Sequence, residues 1–317
     1  MMKKSLLVLC GWLWCAAAFA QTYPSKPIRM VLGFAPGGAS DVLTRVISAG
    51  LGKELGGQVV VENKPGAEGI IAATEVMRAA PDGHTLLMGT NTAMVAVPSL
   101  KNPPPYDAFK AFTPISSAGQ FSMFLVVSPA LPVKTVAEFL DHVGANPNRY
   151  NSASSNSASE LAMLQLLAGR KVVNARYKGD VQALADLVGG NIHMIFSTGT
   201  LAPGMVKEGK ARALLALQPQ RSPLMPDVPT ATEAGIGSLT IKPWAGFFGP
   251  AGMAPELANR ISAALTRAIA SPEVRDQLTK QGIDGYGMTP AQFSAFFRQQ
   301  HDSFNQIVRE NNVKFDP

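Results

Sequence analysis

The sequence predicts an α/β protein of two lobes with a helical tail. Three observations lead to that class. Between residues 28 and 89, short apolar runs alternate with helix-period stretches in the order strand, helix, strand, helix, strand. That alternation builds a parallel sheet covered by helices. Past a Pro-rich connection, Pro103-Pro104-Pro105, similar alternation resumes between 121 and 217, and three helical patterns then close the chain.

The first twenty residues stand apart from the fold. Lys3 and Lys4 form a positive start, residues 6–19 an apolar run, and Ala18-Phe19-Ala20 a small-residue cleavage site. This is the layout of a secretory signal peptide, and the run is short for a membrane span of about 20 residues. Bulky Leu9 and Trp14 precede Cys10 and Cys15, which argues against a lipoprotein. Both cysteines leave with the signal, so the mature chain is expected to hold no disulfide and no thiol nucleophile. Lys3 and Lys4 leave too, lowering the basic count from 28 to 26 against 22 acidic residues. The remaining excess is mild, and with no long basic run it does not suggest nucleic-acid binding.

Residues 28–34 read as the first strand, ended by Pro36-Gly37-Gly38. A helix follows, with Val42, Val46, Ile47, Leu51 and Leu55 on one face and Gly56-Gly57 as its stop. Residues 58–62 form the second strand, 66–80 a helix stopped by Pro81-Asp82-Gly83, and 85–89 the third strand. In the middle, 121–127 is a strong strand, 136–143 a helix and 150–153 a strand start. Helices at 157–169 and 181–188, then strands at 192–196 and 211–217, complete this part. After an apolar run at 244–248, helices are expected over 255–270, 273–281 and 290–311.

In parallel α/β sheets, ligands bind beyond the carboxyl ends of the strands. Three polar loops stand there. The first, Gly33-Phe34-Ala35-Pro36-Gly37-Gly38-Ala39-Ser40-Asp41, lets backbone approach a ligand and opens a helix N-terminus whose N–H groups suit an anion. It reads equally as a tight turn with Ser40 or Asp41 as N-cap. Its glycine spacing fits neither a dinucleotide fingerprint nor a P-loop. The second is Gly89-Thr90-Asn91-Thr92, and the third runs from Ser152 through Ser155, Asn156, Ser157 and Ser159. Singly, such clusters are usually caps. At equivalent places in alternating units, they point to a small, negatively charged ligand.

Catalytic patterns are missing. His84, His142, His193 and His301 are scattered without metal-ligand spacing, and neither a Gly-x-Ser-x-Gly elbow nor a Ser-x-x-Lys occurs. Neither metal, cofactor nor catalytic residue is expected.

These segments resemble the Bug-type periplasmic receptors of tripartite tricarboxylate transporters. The resemblance runs from Tyr23-Pro24-Ser25-Lys26-Pro27-Ile28-Arg29 almost to the C-terminus. It includes Pro36-Gly37-Gly38-Ala39-Ser40-Asp41, Val61-Glu62-Asn63-Lys64-Pro65-Gly66-Ala67, Pro81-Asp82-Gly83-His84-Thr85-Leu86, Tyr177-Lys178-Gly179 and Pro226-Asp227-Val228-Pro229-Thr230. Each is weak alone, but together and in order they are specific. The resemblance implies a two-lobed periplasmic-binding-protein fold, type II-like, with a ligand cleft between the lobes. Its first lobe would comprise 21–120 plus 246–317 and its second 121–245. It further implies a monomeric, non-enzymatic receptor that presents a small organic carboxylate to the membrane permease of a tripartite tricarboxylate transporter. The alternatives are a ligand-sensing receptor for a sensor protein without transport and, behind it, a secreted enzyme acting on organic acids.

Residues 37–41 would bind the carboxylate, and residues 90–92 and 155–159 would fix other polar groups. The family's serine loop usually reads closer to Gly-Asn-Gly-Thr-Ser-Ser-His, against Ser154-Ser155-Asn156-Ser157-Ala158-Ser159-Glu160 here. Ser197 replaces a common Asp, and Met94 stands where a His is frequent. Asp180, after Lys178 and Gly179, reads either as a helix cap or as a cleft residue opposing a second carboxylate and accepting a hydroxyl or ammonium. Phe34 and Trp244 read either as ligand-packing or as core and hinge residues.

Overall fold

The structure is a computed structural model that describes residues 23–218, 220–237, 239 and 243–310. The predicted signal peptide (1–20) and the end of the predicted last helix at Asn311 lie outside the described residues.

Strand β1 (Ile28–Leu32) leads through the Gly-rich loop into α1 (Ala39–Leu55). Then come β2 (Val59–Asn63), a tight turn at Ala67–Gly69, α2 (Ile70–Met77) and β3 (Thr85–Thr90). The three strands are parallel, with β1 between β2 and β3. Met30 and Leu32 of β1 face α1, whereas Val31 faces the opposite layer, as strand alternation requires. Burial on both faces explains the near-continuous apolar run. Arg29 interrupts it, and its guanidinium leaves the core to grip Glu62 on β2 at 2.8 Å and Glu75 on α2.

The predicted strand 121–127 is two strands. β4 (Phe112–Phe121) belongs to the first sheet and β5 (Met123–Val127) to the second, and the chain changes sheets at Ser122. Ser122 donates its N–H to the Gly282 carbonyl at 2.6 Å and accepts from the Gly199 N–H at 2.8 Å. Apolar residues on both sides of the break hide it in the sequence. Earlier turns at Thr92–Ala96, Val97–Leu100 and Ala108–Ala111 had no expected element.

The second half then runs α3 (Val136–Ala145), β6 (Asn151–Ser154), α4 (Ser157–Leu167), β7 (Val173–Arg176), α5 (Asp180–Val188), β8 (Met194–Thr198), α6 (Ala202–Lys207) and β9 (Arg212–Ala216). Strand β7 and helix α6 were not expected. β7 is an edge strand whose four residues are exposed or half-buried, so no apolar run announces it. The second sheet has the order β7-β6-β8-β5-β9, parallel among β7, β6 and β8 and antiparallel around β5.

The chain returns to the first sheet as β10 (Trp244–Pro250), antiparallel between β3 and β4. It ends in α7 (Pro255–Ala270), α8 (Pro272–Lys280), the short β11 (Ile283–Asp284) and α9 (Pro290–Glu310). The first sheet is therefore β11-β4-β10-β3-β1-β2. Helices α1 and α7 pack on one of its faces, and α2 and α9 on the other. Among the described residues, no helix is long and apolar enough to cross a membrane, and no group of three His, Cys, Asp or Glu side chains suits a metal.

Candidate ligand-binding site

A cavity of about 80 Å³ lies between the two sheets, at the carboxyl ends of their parallel strands. From the first sheet, Phe34, Ala39, Ser40, Thr90, Asn91 and Thr92 line it. From the second come Asn156, Ala158, Ser159 and Thr198, and the crossing segments add Phe121, Met123 and Pro243. Two larger hollows, of about 290 and 280 Å³, lie around the end of α8 and beside α7. Neither is lined by loops that follow parallel strands, the place where α/β sheets put their ligands.

The first loop is built to leave a helix end open. Gly37 has φ +84°, a conformation that favours glycine, and Gly38 is the N-cap of α1 in extended backbone with no side-chain cap. Neither Ser40 nor Asp41 takes that role. The Ser40 carbonyl accepts from the Thr44 hydroxyl at 2.6 Å. The N–H groups of Ala39 and Ser40 have no acceptor among the described residues, and both residues reach the cavity. An uncapped first turn carries partial positive charge from unpaired N–H groups.

Asp41 is not among the residues that line the cavity. Its buried carboxylate turns under the loop, where Oδ2 accepts from the Gly37 N–H and from Arg45 Nε, each at 3.0 Å. Oδ1 accepts from Asn63 Nδ2 at 2.8 Å, and the same amide reaches the Phe34 carbonyl at 3.0 Å. Burial pushes the Asp41 carboxyl up. The bonds from Arg45, Gly37 and Asn63 outweigh it and hold the group below its ordinary value. Asp41 thus shapes the loop that presents the donors.

The second and third loops face each other. Thr92 Oγ1 stands 3.5 Å from Asn156 Oδ1, at the limit of a hydrogen bond across the cavity. The Asn91 amide lines the wall and makes no hydrogen bond among the described residues. On α4, Asn156 and Ser159 form a capping box, with Ser159 N–H to Asn156 Oδ1 at 2.9 Å. Both residues therefore cap a helix while lining the cavity. Ser155 and Ser157 do not line it. Ser155 Oγ accepts from Asn156 Nδ2 at 3.3 Å, and Ser157 gives its hydroxyl to Glu68 at 2.6 Å.

Several expected site residues lie elsewhere. Lys178 is exposed, Gly179 is the N-cap of α5, and Asp180 opens that helix without reaching the cavity wall. Ser197 is fully buried, whereas Thr198, the next residue on β8, faces the cavity. Successive strand side chains alternate faces, which puts Thr198 on the wall and Ser197 behind it. Trp244 is 1% exposed and sits among Phe248, Phe293, Phe296 and Phe297, with ring centroids 5.6–6.4 Å away. It is core packing, and its neighbour Pro243 lines the cavity instead. Phe121, Met123, Thr198 and Pro243 escaped the sequence reading, and Ala158 entered it only as part of the 155–159 loop. Only the parity of β8 carried a signal for any of them.

The walls supply hydroxyls, amides and backbone donors around an apolar middle, and no lining residue is titratable. The profile of the tripartite tricarboxylate transporter family receptors matches residues 43–313. The chain belongs to that family. BugT of Bordetella pertussis is 31% identical to it over 94% of this chain and 93% of its own. A solved periplasmic transporter shares 35% identity with a TM-score of 0.83, covering 93% of this chain and all of its own. MatC of Rhodopseudomonas palustris, solved with bound malate, shares 30% identity with a TM-score of 0.78, covering 90% of this chain and all of its own. The fold is the two-lobed α/β fold of these periplasmic receptors, and the family is one of solute-binding proteins and not of enzymes.

Proposed function

We propose that this receptor captures a small organic carboxylate in the cleft between two lobes, 21–120 with 246–317 and 121–245. It works as a monomer in the periplasm after removal of residues 1–20, and delivers its ligand to a tripartite tricarboxylate-type permease. The observation that carries this reading is the uncapped N-terminus of α1 opening on the cavity through Ala39 and Ser40. Fixed N–H donors can hold a carboxylate without Arg or Lys. Thr90, Asn91, Thr92, Asn156 and Ser159 would orient the rest of the ligand, directly or through waters, with Phe34 against its body. That MatC, which shares this fold, is solved with bound malate supports a carboxylate as the ligand.

A thermal-shift screen against aliphatic, hydroxy, amino, tricarboxylic and aromatic acids tests it. A carboxylate at 100 times its Kd should stabilise the protein by about 2.7 kcal/mol. Ala39→Pro removes one cavity-facing N–H at the first helical position, where proline is tolerated and the extended Gly38 is compatible with it. This variant should keep its melting temperature within about 2 °C and bind at least about tenfold more weakly, the loss of one charge-assisted hydrogen bond. Unchanged affinity would remove α1 as the anion site.

A further inference from the structure

Part of the cavity wall is a thin strip of chain. Phe121 and Met123, on either side of the crossing residue Ser122, line the cavity. Phe121 and Ser122 also line the hollow of about 290 Å³, together with Gln218 and Ser222. The strip therefore has open space, and not packed core, at its back. A wall of this kind lacks the close contacts that fix side chains in an interior, so hydrogen bonds must hold it.

Each peptide of the strip is tied to a different segment. The Phe121 N–H donates to the Pro243 carbonyl at 2.8 Å, the Ser122 peptide groups pair with Gly282 and Gly199, and the Met123 carbonyl accepts from the Leu217 N–H at 2.9 Å. Two further ties are made by side chains, and both come from the segment that leaves β9. Gln218 Oε1 accepts from the Met123 N–H at 3.1 Å, and the hydroxyl oxygens of the buried Ser122 and Ser222 lie 3.0 Å apart. Only an oxygen can accept the Met123 N–H, which fixes the orientation of the Gln218 carboxamide. Its buried Nε2 has no acceptor among the described residues, so the bond to Met123 is what the carboxamide contributes.

We infer that Gln218 and Ser222 are positioning residues that set the size of acid the cleft accepts: they hold Phe121 and Met123 forward, and without them the strip recedes into the hollow. This deepens, and rests on, carboxylate capture at α1 as proposed above. The cavity, at about 80 Å³, is far below the roughly 300 Å³ at which pockets for drug-sized ligands begin, so a small retreat of this wall changes which acids fit.

The test is calorimetric titration of the full mature protein with succinate and butyrate, four-carbon acids, and with adipate and hexanoate, their six-carbon counterparts. The wild type should bind the shorter acids at least about tenfold more tightly, since a misfit of even one methylene is worth about that. Gln218→Met keeps the length of the side chain and removes the acceptor, whereas Gln218→Glu keeps the acceptor. Gln218→Met and Ser222→Ala should each narrow the size ratio severalfold, and Gln218→Glu should leave it at the wild-type value, with circular dichroism reporting that each variant is folded. A packing role alone would leave Gln218→Met silent. Hydrogen exchange at the Met123 amide, a readout that needs no ligand, should quicken in Gln218→Met and not in Gln218→Glu. A size ratio unmoved in both Gln218→Met and Ser222→Ala, or a wild type indifferent to acid length, overturns the positioning role while carboxylate capture stands. If no acid of either length binds any of the proteins, capture at α1 falls and the size role falls with it.

Discussion

Asp41 shows how a residue can serve a binding site without touching the ligand. Its carboxylate satisfies the Gly37 N–H, Arg45 and Asn63, and so holds the loop in the shape that leaves the Ala39 and Ser40 donors free. Asp41→Asn removes the ion pair and one acceptor from a buried position. It should cost about 2 kcal/mol, in the range for bonds to a charged group, and weaken carboxylate binding. Urea unfolding and calorimetry check the two effects. The folded-state carboxyl titrates below its ordinary 3.8, so its contribution is fully present above that value and is lost as pH falls through the lower folded value. The stability gap between wild type and Asp41→Asn should therefore be constant above pH 5 or so and narrow below 3.8. A gap that stays constant into the acid limb would mean that ionised Asp41 adds nothing.

At the scale of elements, the return strand β10 is what closes the first sheet around a C-terminal helix. Gly246 faces α9 so closely that a Cβ there would lie 2.1 Å from the Phe293 ring. The absence of a side chain lets the ring cover the strand and join Trp244, Phe248 and Phe297. Gly246→Val should overpack this contact and destabilise the protein by about 3 kcal/mol, whereas Phe293→Ala should cost about 3–5 kcal/mol through the cavity it leaves. Chemical denaturation distinguishes them from surface changes, which stay within about 0.5 kcal/mol. A neutral Gly246→Val would mean that α9 is not held on this face. Backbone hydrogen bonds explain a second element, one that periodicity does not resolve. A run of apolar residues from Phe121 to Val127 reads as one strand, yet the peptide groups of Ser122 bond to Gly282 and Gly199 and divide it between sheets.

For the whole molecule, the apolar core is continuous between the two sheets. Val31 and Leu87 of the first sheet belong to the same buried cluster as Leu125, Met194 and Phe196 of the second, together with Trp244, Phe293 and Phe297. Unfolding one half would expose the cluster's other half to water, which couples the two. Calorimetry should therefore show one transition, with calorimetric and van't Hoff enthalpies in agreement. Two resolved transitions would mean that the contacts between sheets contribute little to stability.

The sequence alone carried the α/β class, the order of most elements, the three polar loops and the family resemblance. All of these rest on local signals: hydrophobic period, turn residues, and motifs contiguous in the chain. It placed Phe34, Ala39, Ser40, the 90–92 loop, Asn156 and Ser159 among the candidates now found around one cavity. Only the tertiary structure decided which faces those residues present. Asp41 turns beneath its loop, Ser197 yields to Thr198, Trp244 sinks into an aromatic core, and Glu68 reaches Ser157 from 89 positions away. Such outcomes depend on strand parity, on which helix ends stay uncapped and on contacts between distant segments. Local composition does not encode them, because they arise only when two separately patterned sheets are brought together.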